Sequence, residues 1–383
     1  MNTRKLYDID AYQTIFEAKV ISCEKQEDGY AVILDQTLFF PEEGGQTPDK
    51  GNINGIAVVD VQIKKDVITH YLEQPLEEGV EVHGKIDWQH RFFNMQQHSA
   101  EHIFSGTAYR KYGYKNVGFH LSNQIVTMDF DHAFTPEQLD EMEWEINQAI
   151  VANVEIKTGY PSKEELANLE YRSKIEIDGD VRIVEIPGYD ICACCAPHVR
   201  RTGEIGMFKI QNVQNYKGGM RISFLCGFRA LEEYRRKSQI ISELSGILTT
   251  NQENLAEHVS RLKTQVQSLK TQLSNAKQVV MDAKIEAIPE SQKDVLLFEH
   301  DLDTPVMRNV VNKLVEAHEG VCGVFVGNDE NGYNFIIGSK NINCKDVATK
   351  LRESLEARGG GSPQMIQGSV VATEEKLKEI FAE

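Results

Sequence analysis

The chain has 383 residues, of which 41% are hydrophobic and 26% charged, a composition typical of globular proteins and unlike that of disordered or fibrous ones. Its formal net charge of −17 argues against a protein that coats nucleic acid non-specifically, but it leaves room for a local basic face that binds one RNA. No apolar run approaches the roughly 18 residues that a membrane span needs, and the first residues contain no apolar stretch typical of a signal peptide.

The cysteines indicate free thiols or metal ligands rather than disulfides. There are seven of them, an odd number, and Cys192, Cys194 and Cys195 fall within four positions. Since no export signal is present, disulfides are not expected, and we expect the protein to act in the cytosol.

The first domain, residues 1–88, is predicted to be a small β-barrel or meander. Short β-branched runs between residues 17 and 90 alternate with turn segments rich in glycine, asparagine and aspartate. Residues 89–229 then form a predicted α+β domain. It begins with a helix from Gln89 to Tyr112, which Gly113 caps, and a second helix starts at Thr135. Strand-like runs follow at 181–186, 206–211 and 220–226.

Residues 230–288 are predicted to form a projecting coiled-coil arm or hairpin. They contain one glycine and no proline, and apolar residues follow alternating steps of three and four from Ile241 to Val280. Asn251 occupies one position of this seam, and a stutter at 255–259 should locally unwind the supercoil. A helix packed on its own domain is the competing interpretation.

Residues 289–383 are predicted to form a small α/β domain with helices on one face of a mixed sheet. Strands are expected at 295–298, 323–326 and 335–338, and helices at 306–317 and 344–357. A glycine-rich segment with Gly359, Gly360 and Gly361 and a C-terminal helix follow. The predicted class of the whole chain is therefore α+β.

Two residue pairs predict a zinc site. His98 and His102 are four residues apart within the first strong helix, so both imidazoles share one face. Cys194 and His198 form a Cys-x-x-x-His pair on a turn between strand-like segments. Zinc is the borderline-soft ion that mixed imidazole and thiolate sets bind, so the two pairs together predict zinc with two or three histidines and one thiolate.

A competing motif overlaps the first pair. Residues 98–102 also spell H-x-x-E-H, an inverted zinc-peptidase pattern in which Glu101 would be the general base. A peptidase needs a further acidic ligand downstream, and nothing in the sequence indicates one. The pair Cys194 and His198 is already available, and we therefore favour a site without a catalytic Glu101.

A turn near the N-terminus is a third candidate element. The glycines Gly44 and Gly45 allow close approach of the backbone to a ligand, and the side chains of Gln46 and Thr37 can donate and accept hydrogen bonds. Taken alone, this segment indicates no more than a hairpin loop.

Together these elements resemble the editing domain of alanyl-tRNA synthetase. The resemblance rests on LDQTLFFPEEGGQ at 34–46, His98-x-x-x-His102 and CCAPHVRRTGEIG at 194–206, and on the order of these blocks. The aminoacylation core of the synthetase is missing, and the glycine-rich C-terminal region resembles the DHH-associated domain of that enzyme. The chain is therefore identified as similar to the long freestanding alanyl-tRNA editing proteins, known as AlaX.

The resemblance implies a hydrolase that removes serine, and in some members glycine, from mischarged tRNA(Ala). It places zinc on His98, His102, Cys194 and His198, assigns the hydroxyl-sensing role to Thr37 and puts the Gly-Gly-Gln loop at Gly44, Gly45 and Gln46. Thr37 and Gln46 are the expected catalytic residues. Substrate contacts are also expected at Arg201 and at Gly359, Gly360 and Gly361, and the 230–288 arm is expected to form a homodimer.

One departure from the family motif concerns the metal turn. The family sequence Cys-Gly-Gly-Thr-His becomes Cys194-Cys195-Ala196-Pro197-His198 in this chain, which makes the turn stiffer and bulkier. The extra thiols of Cys192 and Cys195 leave open which cysteine binds the metal, although the family register indicates Cys194. Two other functions stay open: an editing hydrolase for a different mischarged tRNA, and a noncatalytic zinc-stabilised coiled-coil protein that binds RNA.

Overall fold

A computed structural model describes residues 2–122, 125–173 and 179–382 of the chain. The chain divides into two compact units, unit 1 (Met1–Ile241) and unit 2 (Ser242–Glu383). Both contain helices and sheets, which confirms the predicted α+β class.

The strands and helices of unit 1 follow one another along the chain in a fixed order. The first eight strands are β1 (Arg4–Lys5), β2 (Ile15–Gln26), β3 (Gly29–Leu34), β4 (Gln36–Thr37), β5 (Gly51–Ile53), β6 (Ile56–Lys64), β7 (Val67–Leu72) and β8 (Glu81–Ile86). There follow α1 (Trp88–Tyr112), β9 (Asn116–Leu121), β10 (Val126–Phe130), α2 (Pro136–Ala152), β11 (Lys157–Gly159), α3 (Lys163–Ala167), β12 (Ile183–Ile186), β13 (Asp190–Ala193), β14 (Phe208–Tyr216), β15 (Gly219–Cys226) and α4 (Gly227–Leu248), which extends into unit 2.

Six strands of unit 1 close into a ring in the order β2-β3-β7-β6-β5-β8. Alternate residues of β2 and β8 are buried, as expected when side chains of a strand point to opposite faces. The ring interior is filled by apolar side chains such as Phe16, Val32 and Leu72. Gly84 belongs to this packing, because a Cβ there would lie 2.1 Å from the ring of Phe16.

Helix α1 ends at Tyr112, as the sequence predicts, and begins at Trp88, one residue before the predicted Gln89. The carboxylate of Asp87 accepts a hydrogen bond from the His90 backbone N–H, and Gly113 adopts a left-handed conformation at the other end. Most of α1 between Asn94 and Ala108 is buried. A helix buried around most of its circumference belongs to the centre of a domain, so its polar side chains need internal partners.

The elements around α1 form the main core of unit 1. A four-stranded sheet has the order β14-β15-β10-β9, a three-stranded sheet has the order β11-β12-β13, and α1 contacts both. Helix α2 starts at Thr135, as predicted, with a capping box in which Thr135 and Gln138 bond each other's backbone N–H.

The region predicted to form an arm contains two helices separated by a break. α4 ends at Leu248 and α5 (Leu255–Glu286) follows a short 3-10 turn. The assignment of Asn251 to the coiled-coil seam is wrong, because its side chain accepts from the Asn254 N–H and starts that turn. Many apolar seam side chains of α5 are exposed: Val259, Leu262, Val266, Leu269, Leu273 and Val280.

The remaining elements of unit 2 surround a five-stranded sheet. They are β16 (Val295–Glu299), α6 (Thr304–Ala317), β17 (Cys322–Asn328), β18 (Gly332–Gly338), α7 (Cys344–Ser354), β19 (Glu356–Gly361), β20 (Met365–Val371) and α8 (Glu374–Ala382). The sheet order is β16-β17-β18-β20-β19, with β16 and β17 parallel and the other pairs antiparallel.

Two details of the C-terminal prediction are wrong. The helices cover both faces of the sheet, since Val324 packs with α5 and α6 whereas Phe325 packs with α7 and α8. Strand β17 is almost continuously apolar, a pattern typical of a strand buried on both sides. In addition, the helix predicted over 344–357 ends at Ser354, because residues from Glu356 onward pair with β20.

No helix in the described part of the chain is both long enough and apolar enough to cross a lipid bilayer.

Candidate metal centre and active site

Helix α1 and the turn after β13 bring the four predicted ligands together. His98 and His102 lie one helical turn apart with ring centroids separated by 5.4 Å. The centroid of the His198 ring is 5.0 Å from that of His98 and 4.7 Å from that of His102. The Cys194 Sγ lies 3.6 Å from the His98 Nε2, and one ligand atom from each of the four residues lies within 4.8 Å of the others.

The hydrogen bonds of the three imidazoles direct one nitrogen of each ring away from the cluster. The His98 Nδ1 donates to the Gln46 Oε1 at 2.9 Å, and the His102 Nδ1 donates to the Asp190 carboxylate at 2.9 Å. The His198 Nδ1 is 3.1 Å from the Ser99 hydroxyl. Nδ1 atoms held in this way leave the Nε2 atoms available as ligands.

This donor set fits a metal ion. The His198 Nε2 is buried and has no hydrogen-bond partner among the described residues, although buried polar atoms are normally paired. Three imidazole nitrogens and one sulfur are a ligand set that zinc accepts. The cluster can therefore hold a metal ion, for which His98, His102, Cys194 and His198 are the candidate ligands.

The electrostatics of the cluster favour the metal-binding form of the thiol. Burial opposes ionisation of Cys194, but the neighbouring imidazoles, His98 first, outweigh it and hold the pKa of this thiol well below its usual value. Burial lowers the pKa of His198 to about 3, which keeps that ring neutral. Burial also acts against a charged His102, but the hydrogen bond to Asp190 raises its pKa to about 10.

The structure distinguishes Cys194 from the neighbouring cysteines. Burial raises the pKa of the Cys192 thiol and of the Cys195 thiol, so both stay protonated. The Cys195 thiol faces the carboxylate of Glu43, and only Cys194 joins all three histidines among the described metal-ligating groups. The geometry therefore agrees with the family register.

Asp190 and Arg172 form a hydrogen-bonded chain that starts at the Nδ1 of His102, on the side of the ring away from the cluster. The Arg172 guanidinium donates to both oxygens of Asp190, at 2.7 and 2.8 Å. Burial opposes the charge of Asp190, but Arg172 and His102 outweigh it and lower the pKa of this carboxyl. These residues and Ser99 did not emerge from the sequence, because no spacing relates Asp190 or Arg172 to the ligands. Ser99 is adjacent to His98, which is a weak signal.

The Gly-Gly-Gln loop lies against the metal cluster. Gly44 and Gly45 have φ values of 63° and 83°, and a Cβ on Gly45 would lie 2.2 Å from the Phe119 carbonyl oxygen. The ring of Phe119 packs on His98 with a centroid distance of 4.8 Å. Gln46 is fully buried. Its Oε1 is bonded to His98, whereas its Nε2 has no hydrogen-bond partner among the described residues. A buried amide N–H group at this position can donate to a bound molecule.

Thr37 lies in the core of the six-stranded ring and is completely buried. Its hydroxyl accepts from the Phe39 backbone N–H at 3.0 Å and lies 2.8 Å from the His70 Nε2. The His70 Nδ1 lies 3.2 Å from the Val32 carbonyl oxygen, so the His70 Nε2 is the acceptor and Thr37 donates to it. One lone pair of the Thr37 oxygen remains for a further donor.

Glu101 has a set of polar partners that accounts for its burial. Its Oε1 accepts from the Ser105 hydroxyl at 2.7 Å and from the Asn116 amide at 2.5 Å. These bonds connect α1 to β9, which favours a role in packing over one as general base.

The other predicted substrate contacts lie elsewhere in the fold. Arg201 is exposed, and its guanidinium donates to the Asn153 carbonyl at the end of α2. Gly359, Gly360 and Gly361 belong to β19, at the edge of the sheet in unit 2. A Cβ on Gly359 would lie 2.3 Å from the Gln367 carbonyl oxygen, so the sheet itself requires glycine at this position.

Two family models match the chain. Residues 181–223 match the model described as the threonyl and alanyl tRNA synthetase second additional domain, and residues 7–90 match that of class II (A) tRNA synthetases. The first match includes Cys194 and His198, and the second includes the Gly-Gly-Gln loop.

Individual relatives cover nearly the whole chain. The alanyl-tRNA editing protein Aarsd1 of Danio rerio is 28% identical over 94% of this chain and 92% of its own length. The alanine–tRNA ligase of Methanoregula boonei is 33% identical over 96% of this chain, which spans 41% of that ligase. The C-Ala domain of Aquifex aeolicus alanyl-tRNA synthetase is 24% identical over 24% of this chain and 91% of that domain, with a TM-score of 0.20. The similarity to Aarsd1 over nearly the full length of both chains confirms the resemblance to freestanding alanyl-tRNA editing proteins.

Proposed function

We propose that this chain, a relative of the freestanding alanyl-tRNA editing proteins over nearly its whole length, hydrolyses the ester bond of mischarged tRNA(Ala). The amino acid it removes is serine, and glycine is the second candidate. The observation that carries the proposal is the buried cluster of His98, His102, Cys194 and His198 with Gln46 hydrogen-bonded to one of its rings.

Hydrolysis of an ester requires a positioned water molecule and stabilisation of the oxyanion. Gln46 supplies a buried N–H donor that no residue in the described part of the chain accepts from, which suits it to hold a carbonyl or oxyanion of the substrate. The proposed metal is zinc, which when bound would polarise the carbonyl or lower the pKa of a bound water. The glycines Gly44 and Gly45 let the loop backbone approach the 3′-terminal adenosine closely.

Discrimination of serine from alanine is assigned to Thr37. Serine exceeds alanine by one hydroxyl, which a purely apolar pocket selects poorly. The Thr37 hydroxyl donates a hydrogen bond to His70 and accepts one from the Phe39 N–H group, so its oxygen can accept one more, for which the serine hydroxyl is a suitable donor. The alanine ester would leave this lone pair unused.

The helical arm and unit 2 are proposed to bind the tRNA body and to dimerise the protein. This proposal is supported by the exposed apolar side chains of α5, among them Leu262, Val266 and Leu269. They lie at the spacing by which one helix of a coiled coil packs against another. Arg201 and Gly359–Gly361 remain the proposed additional RNA contacts.

A different mischarged tRNA is the second candidate substrate. The family model that matches residues 181–223 is described for threonyl as well as alanyl tRNA synthetases. The Gly-Gly-Gln loop beside the metal cluster and the similarity over nearly the whole chain favour the alanine type.

One deacylation experiment separates these functions. The purified full chain is incubated with Ser-, Gly- and Ala-tRNA(Ala) and with mischarged threonine tRNA, with and without a chelator. Rapid chelator-sensitive release of serine from tRNA(Ala) is the expected result. Preference for threonine tRNA would support the second substrate, and tRNA binding without turnover would indicate a noncatalytic protein.

A further inference from the structure

We infer that Arg182, held by Asp8, is a positioning residue that sets the geometry of the Cys194–His198 turn for metal binding. The inference rests on the proposed metal centre and concerns residues outside the predicted site. Neither residue carries a ligand atom of the cluster.

One nitrogen of Arg182 binds two carbonyl groups of the metal turn. The Arg182 Nη1 donates to the Cys194 carbonyl oxygen at 2.9 Å and to the Ala196 carbonyl oxygen at 2.9 Å. The backbone makes a third link, because the Cys194 N–H donates to the Arg182 carbonyl oxygen at 3.0 Å. Arg182 therefore bonds both backbone groups of the residue that supplies the thiolate and the carbonyl group two residues later.

Asp8 fixes the guanidinium from the other side. The Arg182 Nε lies 3.3 Å from the Asp8 Oδ1, and the Tyr160 hydroxyl donates to the Asp8 Oδ2 at 2.9 Å. The side chain of Arg182 is only 6% exposed, so its charge and its donors depend on these partners. Asp8 lies near the N-terminus, far from the turn in sequence, and it orders the arginine through this ion pair.

The composition of the turn explains why it needs the hydrogen bonds from Arg182. Cys194-Cys195-Ala196-Pro197-His198 contains no glycine, and Pro197 has no backbone N–H group. Ala196 is fully buried, so its carbonyl requires a donor from elsewhere in the protein. Arg182 supplies that donor and joins the Ala196 carbonyl to that of Cys194, which restrains the separation between the thiolate and His198.

The test measures metal binding by the full chain. Arg182→Lys keeps the positive charge but cannot bind Asp8 and both carbonyls with the geometry of a guanidinium. We expect its zinc affinity, measured by competition with a chromophoric chelator, to fall by about 10- to 100-fold, the range for residues that orient metal ligands. The visible spectrum of the cobalt-substituted variant should also change, since it reports ligand geometry. Asp8→Asn should weaken zinc binding in the same direction by a smaller factor.

Arg91→Lys is the matched control. Arg91 is also fully buried, pairs with an aspartate (Asp49) and donates to two backbone carbonyls, but it contacts none of the four candidate ligands. It should lower the melting temperature while leaving zinc affinity within about twofold and the cobalt spectrum unchanged.

Three outcomes would overturn the inference. Zinc affinity of Arg182→Lys within twofold of the wild type would exclude the positioning role, and so would equal losses in Arg182→Lys and Arg91→Lys, which would indicate general loosening. A wild-type chain that binds no zinc would refute both the metal centre and the inference. This result differs from a failure of the inference alone, because it is obtained with the unsubstituted protein.

Discussion

The two compact units differ in what their cores contain. Unit 1 buries a large set of polar and charged side chains, including His70, Arg91, Glu101, Asp190 and the histidines of the metal cluster. In the described part of unit 2, the buried polar side chains are His318 and Ser339, and the core consists of two apolar layers on either side of one sheet.

The difference indicates a division of roles. Burial of polar side chains is costly unless they are paired, and their concentration in unit 1 is therefore expected where chemistry requires them. Unit 2 instead leaves apolar side chains of α5 exposed, which is a property of surfaces that associate. If this division holds, substitutions in unit 1 should affect hydrolysis but not assembly. Substitutions in unit 2 should affect assembly but not zinc binding.

The largest expected effect is the removal of a metal ligand in unit 1. The wild-type chain should contain about one zinc per chain, and His102→Ala or Cys194→Ala should abolish both zinc binding and Ser-tRNA(Ala) hydrolysis. Elemental analysis and deacylation rates measure these quantities, and sedimentation should show an unchanged oligomeric state. Full activity in the zinc-free variant would refute a metal-dependent mechanism.

The next effect concerns the exposed seam of unit 2. The triple variant Leu262→Lys, Val266→Lys and Leu269→Lys should raise the dimer dissociation constant at least about a hundredfold, because each buried Leu or Val side chain contributes about 1.5–3 kcal/mol. Its affinity for tRNA should fall while its zinc content stays the same. The control is the double variant Gln265→Lys and Gln272→Lys, which adds lysines to α5 outside the seam and should leave the dimer intact. A wild-type chain that is monomeric in solution would show that the seam does not form a dimer.

A smaller effect is expected at Thr37. Thr37→Val preserves the shape but removes a hydrogen-bonding group and leaves the His70 Nε2 without its donor, a loss of about 1–3 kcal/mol. Ser-tRNA(Ala) hydrolysis should fall about 5- to 150-fold in kcat/KM, while slow Ala-tRNA(Ala) hydrolysis stays unchanged or rises. Thr107→Val is the control, since the Thr107 hydroxyl is buried in α1 and has no hydrogen-bond partner within the described ranges of the chain. An unchanged Ser/Ala ratio in Thr37→Val would exclude Thr37 as the hydroxyl sensor.

The smallest effect is expected at Glu101. Glu101→Gln keeps an oxygen that can accept from Ser105 and Asn116, so hydrolysis should fall less than about tenfold. The main effect of Glu101→Gln should be a lower melting temperature, because Glu101 connects α1 to β9. A loss of three orders of magnitude in kcat with a normal melting temperature would restore Glu101 as the general base.

Local patterns predicted the elements whose signals lie within a few residues. Gly113 marks the end of α1 and Thr135 marks the start of α2, because caps are local interactions. The predictions failed where distant partners decide. Residues 356–357 leave the predicted helix to pair with β20. The error at Asn251 has another cause, because its cap on Asn254 is local but the heptad pattern was followed instead.

The sequence by itself determined the candidate ligand pairs, since a spacing of four on a helix and a Cys-x-x-x-His turn each bring two donor atoms close. Only the tertiary structure decided that the two pairs form one cluster, that Cys194 joins it while the Cys195 thiol faces Glu43, and that Asp190, Gln46 and Ser99 orient the rings. The physical reason is that each of these choices depends on hydrogen bonds and burial between segments that lie far apart in the sequence, such as 52 residues for Gln46 and His98 and 99 for Ser99 and His198. No local spacing encodes those contacts.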